Sequence, residues 1–118
     1  MNAQEARKIW IDALRSGDYE QTRNNLQDEN GFCCLGVACL LAEKHAGIHL
    51  QRDEEGFIKG KTLKEQRPVA GWLGLNGFIG GYADGNGWLA SDNDGGMSFE
   101  ELADIIESEP EGLFTEGS

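Results

Sequence analysis

Residues 32–47 read FCCLGVACLLAEKHAG, an apolar run of helical length that ends on a glycine. Gly47 suits the left-handed position at which many helices stop. The run therefore predicts the central and most buried helix of the fold. Gly36 lies inside it and costs about 1 kcal/mol relative to alanine, so we expect another backbone or side chain to pack against that bare position. Trp10 and Trp72 are the candidates.

The same run holds all three cysteines of the chain, Cys33, Cys34 and Cys39, among apolar neighbours. Free cysteine is often buried, and disulfide frameworks belong to small secreted domains. The pattern predicts buried thiols in a reducing cytoplasm. A zinc site would need Cys34, Cys39, His45 and His49 to converge. At 100° per residue the two cysteines point about 140° apart on a helix, and the usual paired ligand spacing is missing. We expect no metal.

Further helices follow from capping patterns and apolar periodicity. Asn2 with Glu5, and Ser98 with Glu101, have the spacing of capping boxes, and Pro68 suits the first position of a helix. Apolar residues recur at helical spacing after each of the two boxes. The predicted helices lie near residues 3–16, 33–46, 68–73 and 98–108.

Short strands and turns fill the segments between these helices. Residues 18–31 are polar and predict a surface connector or weak strand, whereas residues 48–60 predict a short hairpin. Residues 74–87 form a glycine-rich loop, and long loops in compact domains are often functional. The predicted fold class is α+β, as a single domain over residues 1–118 in which residues 113–118 are a flexible tail.

Charge is distributed unevenly along the chain. Residues 1–83 hold all 10 Lys and Arg and 11 of the 21 acids, so their net charge is 10 minus 11, or −1. Residues 84–118 hold the other 10 acids and no Lys or Arg. Such a segment repels nucleic-acid phosphate and attracts a basic surface. The distribution argues against direct nucleic-acid binding.

Signals for export or membrane insertion are missing from the sequence. Residues 1–7 carry no apolar core of a signal peptide, and no run approaches the ~20 apolar residues of a membrane span. We expect a cytoplasmic protein that does not associate with membranes.

Motifs for catalysis, phosphate binding and calcium binding are incomplete in this sequence. Residues 56–62 read GFIKGKT, with three residues rather than four between the glycines of a phosphate-binding loop. Residues 92–95 read DNDG, but Ala103 stands where a calcium loop needs glutamate, so we interpret residues 92–96 as a turn that leads to the last helix. A Cys33 or Cys34 nucleophile with a histidine base stays open as a minor alternative, because such partners need only meet in space. We expect a non-enzymatic protein without a cofactor.

Trp10 precedes the motifs LRSGDY at 14–19, CCLGV at 33–37, WLGL at 72–75 and NDG at 93–95, and LADIIE follows at 102–107. In combination these motifs resemble small uncharacterised proteins encoded by bacteriophages and prophages. That family often has a basic Lys-Tyr pair after Ser-Gly, where this chain has Asp18. The resemblance implies a phage accessory protein that acts in a bacterial cytoplasm, and it implies no particular activity.

Two functional hypotheses follow. The first is a binder and inhibitor of a host protein with a basic surface, which the acidic C-terminal third would contact by imitating the charge of nucleic acid. Its candidate residues are Asp92, Asp94, Glu100, Asp104 and Glu107. The second is sequestration of a small nucleotide signal by the glycine-rich loop, because aromatic faces and exposed backbone donors can hold a small ligand. Its candidate residues are Trp72, Tyr82 and Trp88.

Overall fold

The computed structural model describes residues 2–83 and 87–115 and has an α+β fold. Within these ranges the chain forms five α-helices, one short 3-10 helix and two two-stranded antiparallel sheets. The helices are α1 (Ala3–Ser16), α2 (Cys34–Ala46), α3 (Arg67–Leu73), α4 (Leu89–Asp94) and α5 (Phe99–Glu107). The strands are β1 (Gln27–Asp28), β2 (Gly31–Phe32), β3 (Gly81–Tyr82) and β4 (Gly87–Trp88), and the 3-10 helix is Leu63–Glu65. The predicted fold class is confirmed.

The four predicted helices are confirmed to within one residue at each end. Asn2 Oδ1 accepts a hydrogen bond of 2.9 Å from the backbone N–H of Glu5 and so caps α1. Ser98 and Glu101 form a complete capping box at the start of α5, and Pro68 lies in the first turn of α3. The boundaries agree because these local interactions are the ones that the sequence pattern encodes.

Helix α2 is the centre of the core, as its apolar run predicts. Eight of its 13 residues are buried. Helix α1 packs against it through Trp10, which is fully buried and donates its indole N–H to the carbonyl of Cys34 at 2.9 Å. On another side α1 packs along α5. The first and last helices are therefore neighbours.

Backbone, and not a tryptophan, fills the bare position at Gly36. A Cβ atom at residue 36 would collide with the carbonyl group of Leu26. The same carbonyl accepts a hydrogen bond of 3.1 Å from the backbone N–H of Cys33, just before α2. The expected close packing is confirmed, but the expectation that Trp10 or Trp72 provides it is wrong.

The polar segment before α2, residues 18–31, is more buried than its composition predicts. Leu26 is fully buried, and β1 pairs with β2 to fold the segment back toward α2. The backbone N–H of Thr22 also donates to the carbonyl of Phe32 at 2.8 Å. Strands of two residues are too short to show an alternating pattern, so the sequence predicts no more than a weak strand in this segment.

Residues 48–60 turn back on themselves where a hairpin is predicted, but they form one antiparallel bridge, between Arg52 and Ile58. The Asp53 carboxylate accepts hydrogen bonds from the backbone N–H groups of Glu55 and Phe57, at 2.9 and 3.1 Å. Asp53 therefore shapes the turn, while buried Ile58 anchors it in the core.

Helix α4 begins just after the predicted glycine-rich loop and includes residues 92–94 of the turn predicted at 92–96. Leu89 and Asn93 bury its inner side. The Asn93 amide donates to the carbonyl of Thr22 at 2.9 Å and accepts from the backbone N–H of Cys34 at 3.2 Å. A six-residue helix with no side-chain cap is too short for a periodic signal, so these distant contacts stabilise it instead.

Residues 113–115 pack beside the segment that follows α3. Leu113 is buried, and Phe114 forms an antiparallel bridge with Leu75. The predicted flexible tail at 113–118 is therefore wrong at its start, because an apolar pair holds it in the core, and residues 116–118 lie outside the described residues. In the ranges that the structure covers, no helix has both the length and the apolar character to cross a membrane.

Candidate functional site

Three of the five predicted acidic residues form one exposed surface on α5. Glu100, Asp104 and Glu107 follow one another at helical spacing, and we call them the acidic face. All three are exposed, and the side chains of Asp104 and Glu107 keep 67% and 61% of their surface accessible. The Glu100 side chain has no hydrogen-bond or ionic partner among the described residues.

Arg15, in the last turn of α1, joins two of these carboxylates. Its guanidinium donates to Asp104 at 2.7 Å and to both carboxylate oxygens of Glu107 at 3.0 and 3.1 Å. The hydrogen bonds from Arg15 lower the pKa of Glu107, and they raise the pKa of Arg15. Arg15 contacts two of the three carboxylates and contributes one positive charge, so the acidic face keeps a surplus of two negative charges.

The other two predicted acids belong to α4 and serve the fold there. Asp92 is half-buried and accepts a hydrogen bond from the Tyr82 hydroxyl. Burial, with that carboxylate, raises the pKa of Tyr82 to about 12. Asp94 is exposed, and its Oδ1 accepts a hydrogen bond of 2.7 Å from the backbone N–H of Asn24. The five acids are therefore two groups, on different helices.

Two large apolar side chains are exposed in the described parts of the chain: Ile79 at 39% and Trp88 at 41%. Both line each of two adjoining clefts. The first, which we call the Trp88 cleft, has a volume of about 380 Å³ and is also lined by Asn24, Lys61, Thr62, Ala90, Ser91 and Asp94. The second, the Tyr82 cleft, has about 340 Å³ and is also lined by Asn76, Gly77, Gly81, Tyr82 and Gly112.

Backbone contacts fix the position of Ile79 and Trp88. The N–H of Ala90 donates to the carbonyl of Ile79 at 3.2 Å, which sets the start of α4 beside residue 79. Across the sheet of β3 and β4, the Tyr82 ring lies over Gly87, where any Cβ atom would collide with it. The glycine at 87 therefore lets Tyr82 reach Asp92 and hold the strands to α4.

The aromatic residues predicted to bind a small ligand do not form one group. Tyr82 and Trp88 line the Tyr82 cleft together, whereas Trp72 lines neither cleft. Trp72 is half-buried on α3 and packs against the core, with its indole N–H buried and unpartnered among the described residues. Ile79 carries no functional signal in the sequence, because its exposure is set by contacts that no local pattern encodes.

The cysteines are core residues. Cys33 caps α2, with its sulfur accepting the backbone N–H of Gly36 at 3.4 Å. Burial raises the pKa of Cys33 to about 11 and also raises the pKa values of Cys34 and Cys39, so all three are neutral thiols at neutral pH. A neutral, buried thiol is a poor nucleophile.

The four residues considered for zinc are separated by burial. Cys34 and Cys39 are fully buried, whereas His45 and His49 are exposed. Over residues 2–83 and 87–115, no group of three or more His, Cys, Asp or Glu side chains is arranged to hold a metal ion.

The comparison with protein families gives a match over nearly the whole chain. The family model described as Domain of unknown function (DUF8296) matches residues 1–110 of the 118. No curated protein and no solved structure has a detectable match to the chain. The match includes every helix and strand of the fold described above. The chain therefore belongs to the DUF8296 family.

Proposed function

We propose that this protein is a non-enzymatic binding domain that docks on the basic surface of a host protein and inhibits it. The observation that carries the proposal is the charge of the C-terminal third, which has ten acids and no Lys or Arg after residue 83. Of the eight acids described there, only Asp92 is partly buried, and the other seven are exposed.

The acidic face is the centre of this surface. Glu100 has no partner among the described residues, and Asp104 and Glu107 remain mostly exposed although Arg15 contacts them. Exposed ion pairs contribute little to stability, about 0–1 kcal/mol, so a basic partner can compete with Arg15 for these carboxylates. Clustered charge of one sign also speeds the approach of an oppositely charged partner.

The biological setting that we propose is a bacterial cytoplasm during phage infection. The resemblance to phage and prophage proteins supports this setting. The three unpaired, buried cysteines are also those expected of a protein in a reducing compartment. A small acidic protein suits inhibition of a host enzyme that binds nucleic acid, because it presents that enzyme with a similar charge.

To test this function, tagged protein is used to capture partners from bacterial lysate at low salt. The bound proteins are then released by raising the salt concentration. The test variant combines Glu100→Gln, Asp104→Asn and Glu107→Gln. The matched control combines Glu29→Gln, Glu54→Gln and Glu55→Gln, which removes the same charge from exposed sites on the other part of the chain.

We expect a host protein that wild type and control retain and that the acidic-face variant loses. The affinity of wild type for that protein should fall steeply with salt. If the acidic-face variant binds as well as the control, with the same salt dependence, docking through α5 is wrong.

The second candidate function is sequestration of a nucleotide signal, and the exposure of Trp88 between two clefts favours it. A base can stack on an indole, and Lys61 in the Trp88 cleft can meet a phosphate. The net charge of −11 opposes it. Tryptophan fluorescence across a panel of nucleotides tests it, and an unchanged spectrum in every case counts against sequestration.

A further inference from the structure

We infer that the Trp88 cleft receives an arginine side chain from the protein partner, with the guanidinium against the Trp88 ring and paired to Asp94. The inference rests on the proposed function, because it names one contact that a basic partner makes. The cleft is separate from the acidic face, since it is lined by α4, β4 and segments that precede them. The two surfaces can therefore be tested separately.

The lining of the cleft matches the parts of an arginine side chain. Trp88 offers an exposed indole, and arginine is the cation that most often stacks on such rings. Ile79 and Ala90 provide apolar surface for the methylene stem. At about 380 Å³, the cleft is at the small end of ligand-sized pockets, which run from about 300 to 1,000 Å³, so it suits one side chain better than a helix.

Asp94 supplies the charge that favours a cation. Its Oδ1 accepts hydrogen bonds from the backbone N–H of Asn24 and, at 3.4 Å, from the Asn93 amide, which hold the carboxylate in place. Its Oδ2 accepts no hydrogen bond from the described residues. A guanidinium can donate to that free oxygen, and charge-assisted bonds of this kind are among the strongest that side chains make.

Lys61 lines the same cleft and is the feature that an anionic ligand would use. Asp94 opposes it there, and the whole chain carries a charge of −11, so the electrostatic balance favours the cation. We therefore expect the cleft to bind a basic peptide and not a nucleotide.

The test uses the capped tripeptide acetyl-Gly-Arg-Gly-amide as the probe and NMR of the tryptophan indole N–H signals as the readout. Trp88→Phe assigns the signal of residue 88. Matched peptides with lysine or glutamate in the central position, and adenosine monophosphate, are titrated in parallel.

We expect the arginine peptide to shift the Trp88 signal saturably, the lysine peptide to bind more weakly, and the glutamate peptide and the nucleotide to leave it unchanged. Asp94→Asn should weaken arginine binding about tenfold, since it removes a charged hydrogen bond. It keeps an oxygen for the Asn24 N–H, so the local backbone contact is preserved. A shift caused by the glutamate peptide or the nucleotide but not by the arginine peptide overturns the inference, as does arginine binding that Asp94→Asn leaves unchanged.

The acidic-face variant separates this inference from the proposed function. It should bind the arginine peptide within about twofold of wild type, because its changes lie outside the cleft. If that variant loses the captured host protein while wild type ignores the arginine peptide, the docking function stands and the cleft assignment is wrong. If the peptide binds but the host protein is retained by the variant, the acidic face is wrong and the cleft assignment stands.

Discussion

The carbonyl oxygen of Leu26 lies where a side chain at residue 36 would begin, so Gly36 and Leu26 are in direct backbone contact. This contact brings the segment before α2 against the first turn of that helix. The same carbonyl accepts the N–H of Cys33, so one peptide group fixes both the approach of the segment and the start of the helix. A Cβ atom at residue 36 would therefore have to displace the Leu26 carbonyl group.

We therefore expect Gly36→Ala to destabilise the protein by about 3 kcal/mol, as overpacking against backbone does. Urea unfolding followed by circular dichroism measures this as a lower midpoint. Gly71→Ala is the matched control, because Gly71 lies inside α3 with open space around it and alanine is the better helix former by about 1 kcal/mol. A Gly36→Ala protein as stable as wild type would show that the contact is not tight.

Arg7 is a buried cation that joins α1 to the end of α3. Its Nε donates to the carbonyl of Leu73 at 2.8 Å, and its guanidinium lies 3.7 Å from the centre of the Phe114 ring. We expect Arg7→Met to cost about 2–3 kcal/mol, because it leaves a buried carbonyl without its donor. Lys8→Met, at an exposed position of the same helix, should change the free energy of unfolding by less than about 0.5 kcal/mol. Equal effects of the two substitutions would contradict the role given to Arg7.

Local signals in the sequence account for α1, α2, α3 and α5, because caps, terminal glycines and apolar spacing lie within each helix. Gly36 even reveals that something packs closely there, although not that it is Leu26. The acidic face also follows from sequence, since helical spacing places Glu100, Asp104 and Glu107 on one side of α5.

The remaining features of the fold and of the candidate sites depend on contacts between residues that are far apart in the chain. Arg15 reaches Glu107 across 92 positions, so no local pattern shows that the acidic face is partly neutralised. Helix α4 is held by Asn93, whose partners precede it by 59 to 72 residues. The Trp88 cleft combines Asn24, Lys61 and Asp94, which the sequence keeps apart. Such sites become visible only once the fold brings their parts together.

Tyr82 gives the protein an alkaline pH dependence. Its pKa is raised from 10.0 to about 12, first by burial and then by the carboxylate of Asp92. Because the pKa of Tyr82 is higher in the folded state, protonated Tyr82 contributes to the free energy of unfolding. This contribution is fully present below about pH 10 and is lost as pH rises toward about 12. The phenolate absorbance that wild type shows and Tyr82→Phe lacks should therefore titrate near pH 12.

The thiol of Cys33, with a pKa raised to about 11 by burial, is common to both proteins and cancels in that comparison. Tyr82→Phe should also show less loss of stability than wild type between pH 10 and pH 12. A Tyr82 titration near pH 10 would mean that its hydroxyl is exposed and does not contact Asp92.

Arg15 provides the sharpest test of how the acidic face works. The proposed docking makes Arg15 a competitor for the carboxylates that a basic partner needs, so Arg15→Gln should bind the captured host protein more tightly and with a steeper salt dependence. The same change should raise the pKa of Glu107, because the hydrogen bonds from Arg15 are what lower it, and NMR titration of the carboxylate measures this directly.

Arg52→Gln, which removes the exposed pair between Arg52 and Glu43, changes net charge equally and is the control. If both variants gain the same affinity, overall charge alone drives binding. If Arg15→Gln binds more weakly than wild type, Arg15 itself contacts the partner.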